Sequence, residues 1–267
     1  TAACTLALAR RIRPTLVLLG RSPEPAAEPE WMQVIEDAVA VKKALLENEF
    51  AGMPATPAEV ERRLKLLIAN REISRNLEAL EAAGAVVHYH AVDVRDAGQV
   101  KRIIDEARAA HGPVRAVIHG AGVLEDRLIV DKSPEQFERV FDTKVQGFQA
   151  LLAAVPEDDL KVIVAFSSVT ARIGNKGQAD YAMANEALNK LAWVESLRRP
   201  DCRVVSVNWG PWECGMVTPS LKREFERQGV TLLPAADGAL SLLQEMARGT
   251  TAPVEVVIGG TLNPATI

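Results

Sequence analysis

The 267 residues are 48% hydrophobic and 25% charged, with a formal net charge of −4. That balance suits a globular core and excludes a disordered chain. No long basic run appears, which argues against nucleic-acid binding. The longest apolar runs are strand-sized, too short for a membrane helix, and no signal peptide is visible. Cys4, Cys202 and Cys214 are scattered without ligand spacing and read as free thiols in a reducing cytosol. His88, His90, His111 and His119 form no metal set and read as packing or surface residues.

Residues 1–11 have helical patterning, with Leu6 and the alanines as the apolar face, and a strand, Thr15 to Leu19, follows. A dinucleotide fold begins with a strand and a Gly-rich turn that set backbone N–H groups on a pyrophosphate. No such glycines precede Thr1, so the chain is expected to start inside the first helix of such a fold. Gly20-Arg21-Ser22 follows the strand directly. An acidic residue there would bond a ribose 2′-hydroxyl. Arginine with serine instead offers a cation and a hydroxyl to a 2′-phosphate, which favours NADPH.

The connection from Pro23 to Arg75 is long for this kind of fold. It opens with a proline-rich acidic loop, and Trp31 to Glu49 then has helical spacing through Val34, Ile35, Ala38 and Val41. Thr56-Pro57-Ala58-Glu59 is a helix start, with N-cap, proline at N1 and glutamate at N3. That helix runs to a stop at Gly84. Residues 24–83 thus read as a helical insertion whose apolar residues pack on the body or meet a neighbouring domain or second copy.

Ala85 to Val92 is the next strand, ending in Asp93-Val94, where a short carboxylate suits an exocyclic amine. Asp96 caps a helix that ends at His111-Gly112-Pro113. Val114 to His119 is a strand followed by Gly120-Ala121-Gly122, small residues that let a ribose or phosphate approach the backbone. Ser133-Pro134-Glu135-Gln136 starts another helix, with Phe137, Val140, Phe141, Val145 and Phe148 on its core face and Lys144 along it.

Val162 to Phe166 reads as a buried strand ending in two hydroxyls, Ser167 and Ser168. After a loop bearing Gly174 and Gly177, Tyr181 opens a helical pattern with Ala184, Leu188, Leu191 and Ala192 on one face. A strand end thus presents a hydroxyl beside a tyrosine, which suits carbonyl reduction: serine bonds the carbonyl oxygen and the phenol protonates it as hydride arrives. Arg203 to Asn208 is a further strand leading into Trp209-Gly210-Pro211-Trp212. A helix from Pro219 to Gln228, a helix from Asp237 to Arg248, a last strand from Val254 to Ile258 and a short tail complete the chain.

Ser168, Tyr181 thirteen residues later and Asn185 four beyond that resemble the site of short-chain dehydrogenases/reductases. The commonest members carry a lysine where Asn185 stands. Here a lysine lies instead in Asp142-Thr143-Lys144-Val145-Gln146-Gly147, twenty-four residues before the serine. That exchange resembles ketoreductase domains of type I polyketide synthases and related fatty-acid synthases. The long insertion is similar to that of polyunsaturated-fatty-acid synthases.

The resemblance implies one Rossmann-like, doubly wound α/β domain with a mostly parallel sheet. It implies NADPH-dependent reduction of a β-ketoacyl thioester carried by an acyl carrier protein, next to other megasynthase domains in the cytoplasm. Ser168, Tyr181, Lys144 and Asn185 are then catalytic, with Lys144 and Tyr181 also on the cofactor side. Asp93-Val94 flanks the adenine, Pro211 and Trp212 lie against the nicotinamide, and residues 213–229 form a substrate lid in which Met216 is a candidate substrate contact. Val123-Leu124-Glu125-Asp126-Arg127 resembles the Leu-Asp-Asp motif of B-type ketoreductases, with Asp126 in the diagnostic place and Glu125 departing from it. Ile173 stands where A-type domains carry tryptophan, so a 3R alcohol is implied. Two alternatives stay open: another reductase or epimerase of the superfamily acting on a free small molecule, and a non-catalytic docking module.

Overall fold

The computed structural model describes residues 1–52, 55–156, 158–215, 219–227 and 229–260. Its strands are β1 (Thr15–Gly20), β2 (Val86–Ala91), β3 (Ala116–His119), β4 (Val162–Ser168), β5 (Arg203–Trp209) and β6 (Glu255–Ile258). Every pairing is parallel: β1 with β2, and β3-β4-β5-β6 in that order. Among the described residues no strand joins β1 to β3, so the sheet layer falls into a two-stranded and a four-stranded part.

Parallel strands need a crossover, and here the crossovers are helices that cover both faces. The strand alternation shows the two sides. Ile163 and Ala165 of β4 and Val204 of β5 join one core with Val100, Ile103 and Ile104 of α4 (Ala97–His111), Phe148 of α5 (Pro134–Ala153) and Leu188 and Ala192 of α7 (Ala179–Arg198). Val164, Phe166, Val205 and Val207 point the other way, onto Cys4 of α1 (Ala2–Ile12) and Ala239 and Leu242 of α9 (Ala235–Met246). Val17 and Leu19 of β1 pack against the first core, while Leu16 and Leu18 meet Ala9, Leu80 and Ala85. The two sheet parts therefore share one layer. This is an α/β Rossmann-like fold of the short-chain dehydrogenase/reductase kind.

Between β1 and β2 the chain builds a small core of its own. Met32, Val41, Leu45, Val60, Leu64 and Leu67 cluster there, with Trp31, Ile35 and Phe50 against them. The sequence pattern reads Trp31 to Glu49 as one helix, and here the structure differs. Only Glu30–Met32 forms a short 3-10 turn, and α2 runs Ala38–Glu49 with the Asp37 carboxylate accepting from the Ala40 N–H. Val34 is exposed. The break has two physical causes. Asp37 competes for the helix start as a cap, and Arg71 takes the Ile35 and Met32 carbonyls while pairing with Glu28. The helix α3 (Pro57–Ala82) does carry its full capping box at Thr56 and Glu59, and Gly84 ends it at a φ of 90° that favours glycine.

One glycine lets two layers meet. Gly147, inside α5, sits where a Cβ would fall 2.8 Å from Val94 Cγ2 and 3.2 Å from the ring of buried His119. Close approach there sets the distance of α5 from the ends of β2 and β3. Gly147→Val overpacks this contact and should destabilise the fold by about 1–3 kcal/mol. Urea unfolding measures it, and a variant as stable as wild type would contradict the close packing.

Candidate active site

The C-terminal ends of the parallel strands face one edge, where ligands bind in open α/β sheets. Ser168 is the last residue of β4, paired with Trp209, the last of β5. Gly120 follows β3, and Arg21 follows β1. Thr1 lies against Gly120, so α1 also opens its first-turn N–H groups at this edge.

Three elements deliver the central side chains. α5 starts at a capping box, Ser133 with Gln136, and at Pro134. It carries Lys144, 3% exposed, whose Nζ donates to the Phe166 carbonyl at 2.6 Å and lies 5.6 Å from the Tyr181 ring centroid. On α7, Tyr181 and Asn185 lie one turn apart, and Asn185 Nδ2 donates to the Tyr181 carbonyl at 2.7 Å. From β4, Ser168 stands with Asn185 beside the Tyr181 side chain, close enough for both to act on its phenol. The structure thus brings Lys144, Ser168, Tyr181 and Asn185 together.

Burial raises the Tyr181 phenol, hydrogen bonding to Asn185 and Ser168 pulls it back down, and the nearby Asp126 charge raises it again. Burial alone lowers the Lys144 ammonium from 10.5 to about 7. A lysine poised near neutrality beside a phenol is a proton-handling pair. Asn185 Oδ1 is buried without a hydrogen-bond partner among the described residues, an open acceptor at the same place.

The other expected residues are distributed along the edge. Arg21 is exposed, and its charge helps lower the Asp93 carboxyl, whose main cause is the Arg95 guanidinium bonded to it. Ser22 is half-buried and its carbonyl accepts from the Tyr89 hydroxyl. Val94 is buried against Gly147. Gly120, Ala121 and Gly122 are half-buried after β3. Pro211 and Trp212 follow β5, and Trp212 packs edge-on to Trp209 at 4.9 Å. In the loop after β3, Leu124 is half-buried, the Glu125 carboxylate is held by both Nε and Nη2 of Arg139, and Asp126 Oδ2 accepts from Gln178. Met216 lies outside the described residues.

The donor set fits a dinucleotide. Cationic Arg21 and Ser22 follow β1, small residues follow β3, and the Lys144–Tyr181 pair lies at the end of β4.

Sequence reasoning missed the polar seam that seats α7. Ser167 Oγ donates to the Asn185 carbonyl and to Asn208 Oδ1, Asn189 Nδ2 donates to Asn208 Oδ1, and Ser206 Oγ donates to Asn189 Oδ1. All of these side chains are buried. The one local signal was Asn189, a second asparagine one turn after Asn185 on the face that also carries Leu188 and Ala192.

Residues 2–214 match the KR domain family. The chain is 39% identical over 255 residues to one subunit of the polyunsaturated fatty acid synthase of Thraustochytrium sp., covering 93% of this chain and 9% of that protein. It is likewise similar to a crystal structure of an N-terminal ketoreductase from the macrolactin assembly line. That likeness has a TM-score of 0.70 and 26% identity, over 97% of this chain and 42% of the other. The fold alone is shared with an alcohol dehydrogenase from the archaeon Thermococcus sibiricus, at TM-score 0.67 and 16% identity, over 98% of this chain and 92% of that one. The chain therefore spans a small part of the curated relative's length.

The Lys144 burial has a measurable consequence. Between the folded value of about 7 and the ordinary 10.5, the unfolded chain holds a proton that the folded chain has released. Stability then rises with pH across that window. Urea unfolding at about pH 7 and about pH 9 should show wild type gaining stability relative to Lys144→Met. Parallel pH dependence of the two proteins would contradict the assignment.

Proposed function

Since the chain belongs to the KR domain family, a family of oxidoreductases, we propose that it reduces a β-ketoacyl thioester to the 3-hydroxyacyl thioester with NADPH. The observation that carries this reading is the Tyr181 phenol, gathered with Ser168 and Asn185 and with the Lys144 ammonium beside its ring, at the ligand-binding edge of a parallel sheet.

When bound, the nicotinamide supplies a hydride to the β-carbon. The chain's own residues handle the oxygen. Ser168 Oγ donates a hydrogen bond to the carbonyl oxygen and stabilises the charge that develops there. Tyr181 gives that oxygen its phenolic proton. Lys144, charged, favours the phenolate left behind. Asn185, with its unpartnered Oδ1, holds a water through which the proton is restored.

Arg21 and Ser22 would take the 2′-phosphate, with Asp93 and Val94 on the adenine side, Gly120 to Gly122 along the ribose and phosphates, and Pro211 and Trp212 against the nicotinamide. The loop bearing Leu124, Glu125 and Asp126 would orient the ketone so that a 3R alcohol forms. Residues 213–229, including Met216 and the helix Pro219–Arg227, would be the cover over the substrate. The thioester would be presented by an acyl carrier protein alongside neighbouring domains of a larger synthase. The support is the similarity to a synthase polypeptide of which this chain spans 9%.

Replacing Tyr181 with phenylalanine removes only the proton donor. Tyr181→Phe should lower turnover of an acetoacetyl thioester by about 100-fold or more with thermal stability little changed. NADPH oxidation and a thermal melt give both numbers. Near-normal turnover in that variant would sink the assignment.

A further inference from the structure

Outside the group just described lies one buried ion pair to which the mechanism assigns no part. Lys132 and Asp180 meet at 2.5 Å, with side chains 3% and 2% exposed. A buried pair is a poor source of stability, because desolvation offsets its attraction. Its contacts indicate another use. Lys132 Nζ also donates to the Glu125 carbonyl at 2.7 Å. Asp180 Oδ1 accepts from the Tyr181 N–H at 2.9 Å. Lys132 itself immediately precedes Ser133, the cap that starts α5 and so places Lys144. The pair ties together the loop at residues 123–127, the first turn of α7 and the start of α5.

Two further contacts close the same junction. The Arg127 N–H donates to the Gly177 carbonyl at 3.0 Å, and Gln178 Nε2 donates to Asp126 Oδ2 at 2.9 Å. The loop is consequently a wall beside the Tyr181 phenol, close enough for the Asp126 charge to act on it.

We propose that Lys132 and Asp180 are positioning residues for the reduction: the pair fixes the 123–127 loop against Tyr181 and so decides which face of the substrate carbonyl is turned to the hydride while its oxygen meets the phenol. This role rests on Tyr181 being the proton donor. Lys132 and Asp180 themselves touch neither substrate nor cofactor. They act through the loop and through the backbone of Tyr181.

The test uses an acetoacetyl thioester with wild type, Tyr181→Phe and the double variant Lys132→Met/Asp180→Asn. The double variant removes both charges together, so no buried charge is left uncompensated. It should keep the wild-type thermal midpoint within a few degrees and the wild-type Kd for NADPH. Its kcat should fall by about 10-fold or more, and the minor alcohol enantiomer should rise several-fold by chiral chromatography.

If the double variant fails to fold, Lys132→Leu/Asp180→Asn, which likewise removes both charges, carries the same expectation. Wild-type kcat and enantiomer ratio in the folded double variant, or in Lys132→Leu/Asp180→Asn where the first does not fold, would overturn the proposal. A silent wild type would instead indict the reductase reading itself, and the two failures are distinct.

Discussion

The site depends on the polar seam between α7 and the middle of the sheet. Ser168 and Tyr181 come from different elements, and they meet because α7 has one register on β4 and β5. Apolar packing by Ala184, Leu188 and Ala192 brings the helix to the sheet, but packing alone tolerates sliding. Ser167, Asn189, Ser206 and Asn208 do not, because each buried polar atom left without its partner costs roughly 1–3 kcal/mol. Asn208 extends the seam to Glu255 on β6, which Arg172 also engages beyond β4. The seam thus runs across three strands and holds the two hydroxyl-bearing elements in place.

Around that fixed centre, α5 contributes the cation. Its position follows from one small residue and one cap. Gly147 lets α5 lie close to Val94 and His119, and the capping box at Ser133 sets where the helix begins. Lys144 then reaches the Phe166 carbonyl from a fully buried path, and burial brings its proton affinity down to near neutrality. Desolvation, which elsewhere in the molecule is a cost to be offset by pairing, is here what makes the ammonium responsive.

The sequence made much of this legible because the signals were local. The caps at Thr56 and Ser133 each lie within four residues, and the β4 run with its terminal hydroxyls reads from apolar continuity alone. Ser168 and Tyr181 stood out by type and position, Asn185 and Lys144 by resemblance to a known family's site, and the structure gathers all four. What stayed hidden was set by partners distant in the chain. The interruption between Trp31 and Ala38 depends on Arg71 taking two carbonyls thirty-odd residues upstream. Lys132 carries no local signal in the sequence, and its burial against Asp180 becomes visible only when α7 is in place. The division of the sheet into β1-β2 and β3-β4-β5-β6 concerns pairing between strands, on which hydrophobic periodicity is silent.

The central claim is hydride delivery to a β-carbonyl at the Tyr181 edge. The most direct measurement supplies an acetoacetyl thioester with NADPH deuterated at both positions of the nicotinamide C4 and reads the product by mass spectrometry and proton NMR. The account predicts one deuterium per molecule of 3-hydroxybutyryl thioester, located at C3. A 3-hydroxy product without deuterium at C3, or no product while the cofactor is held at saturation, would contradict it.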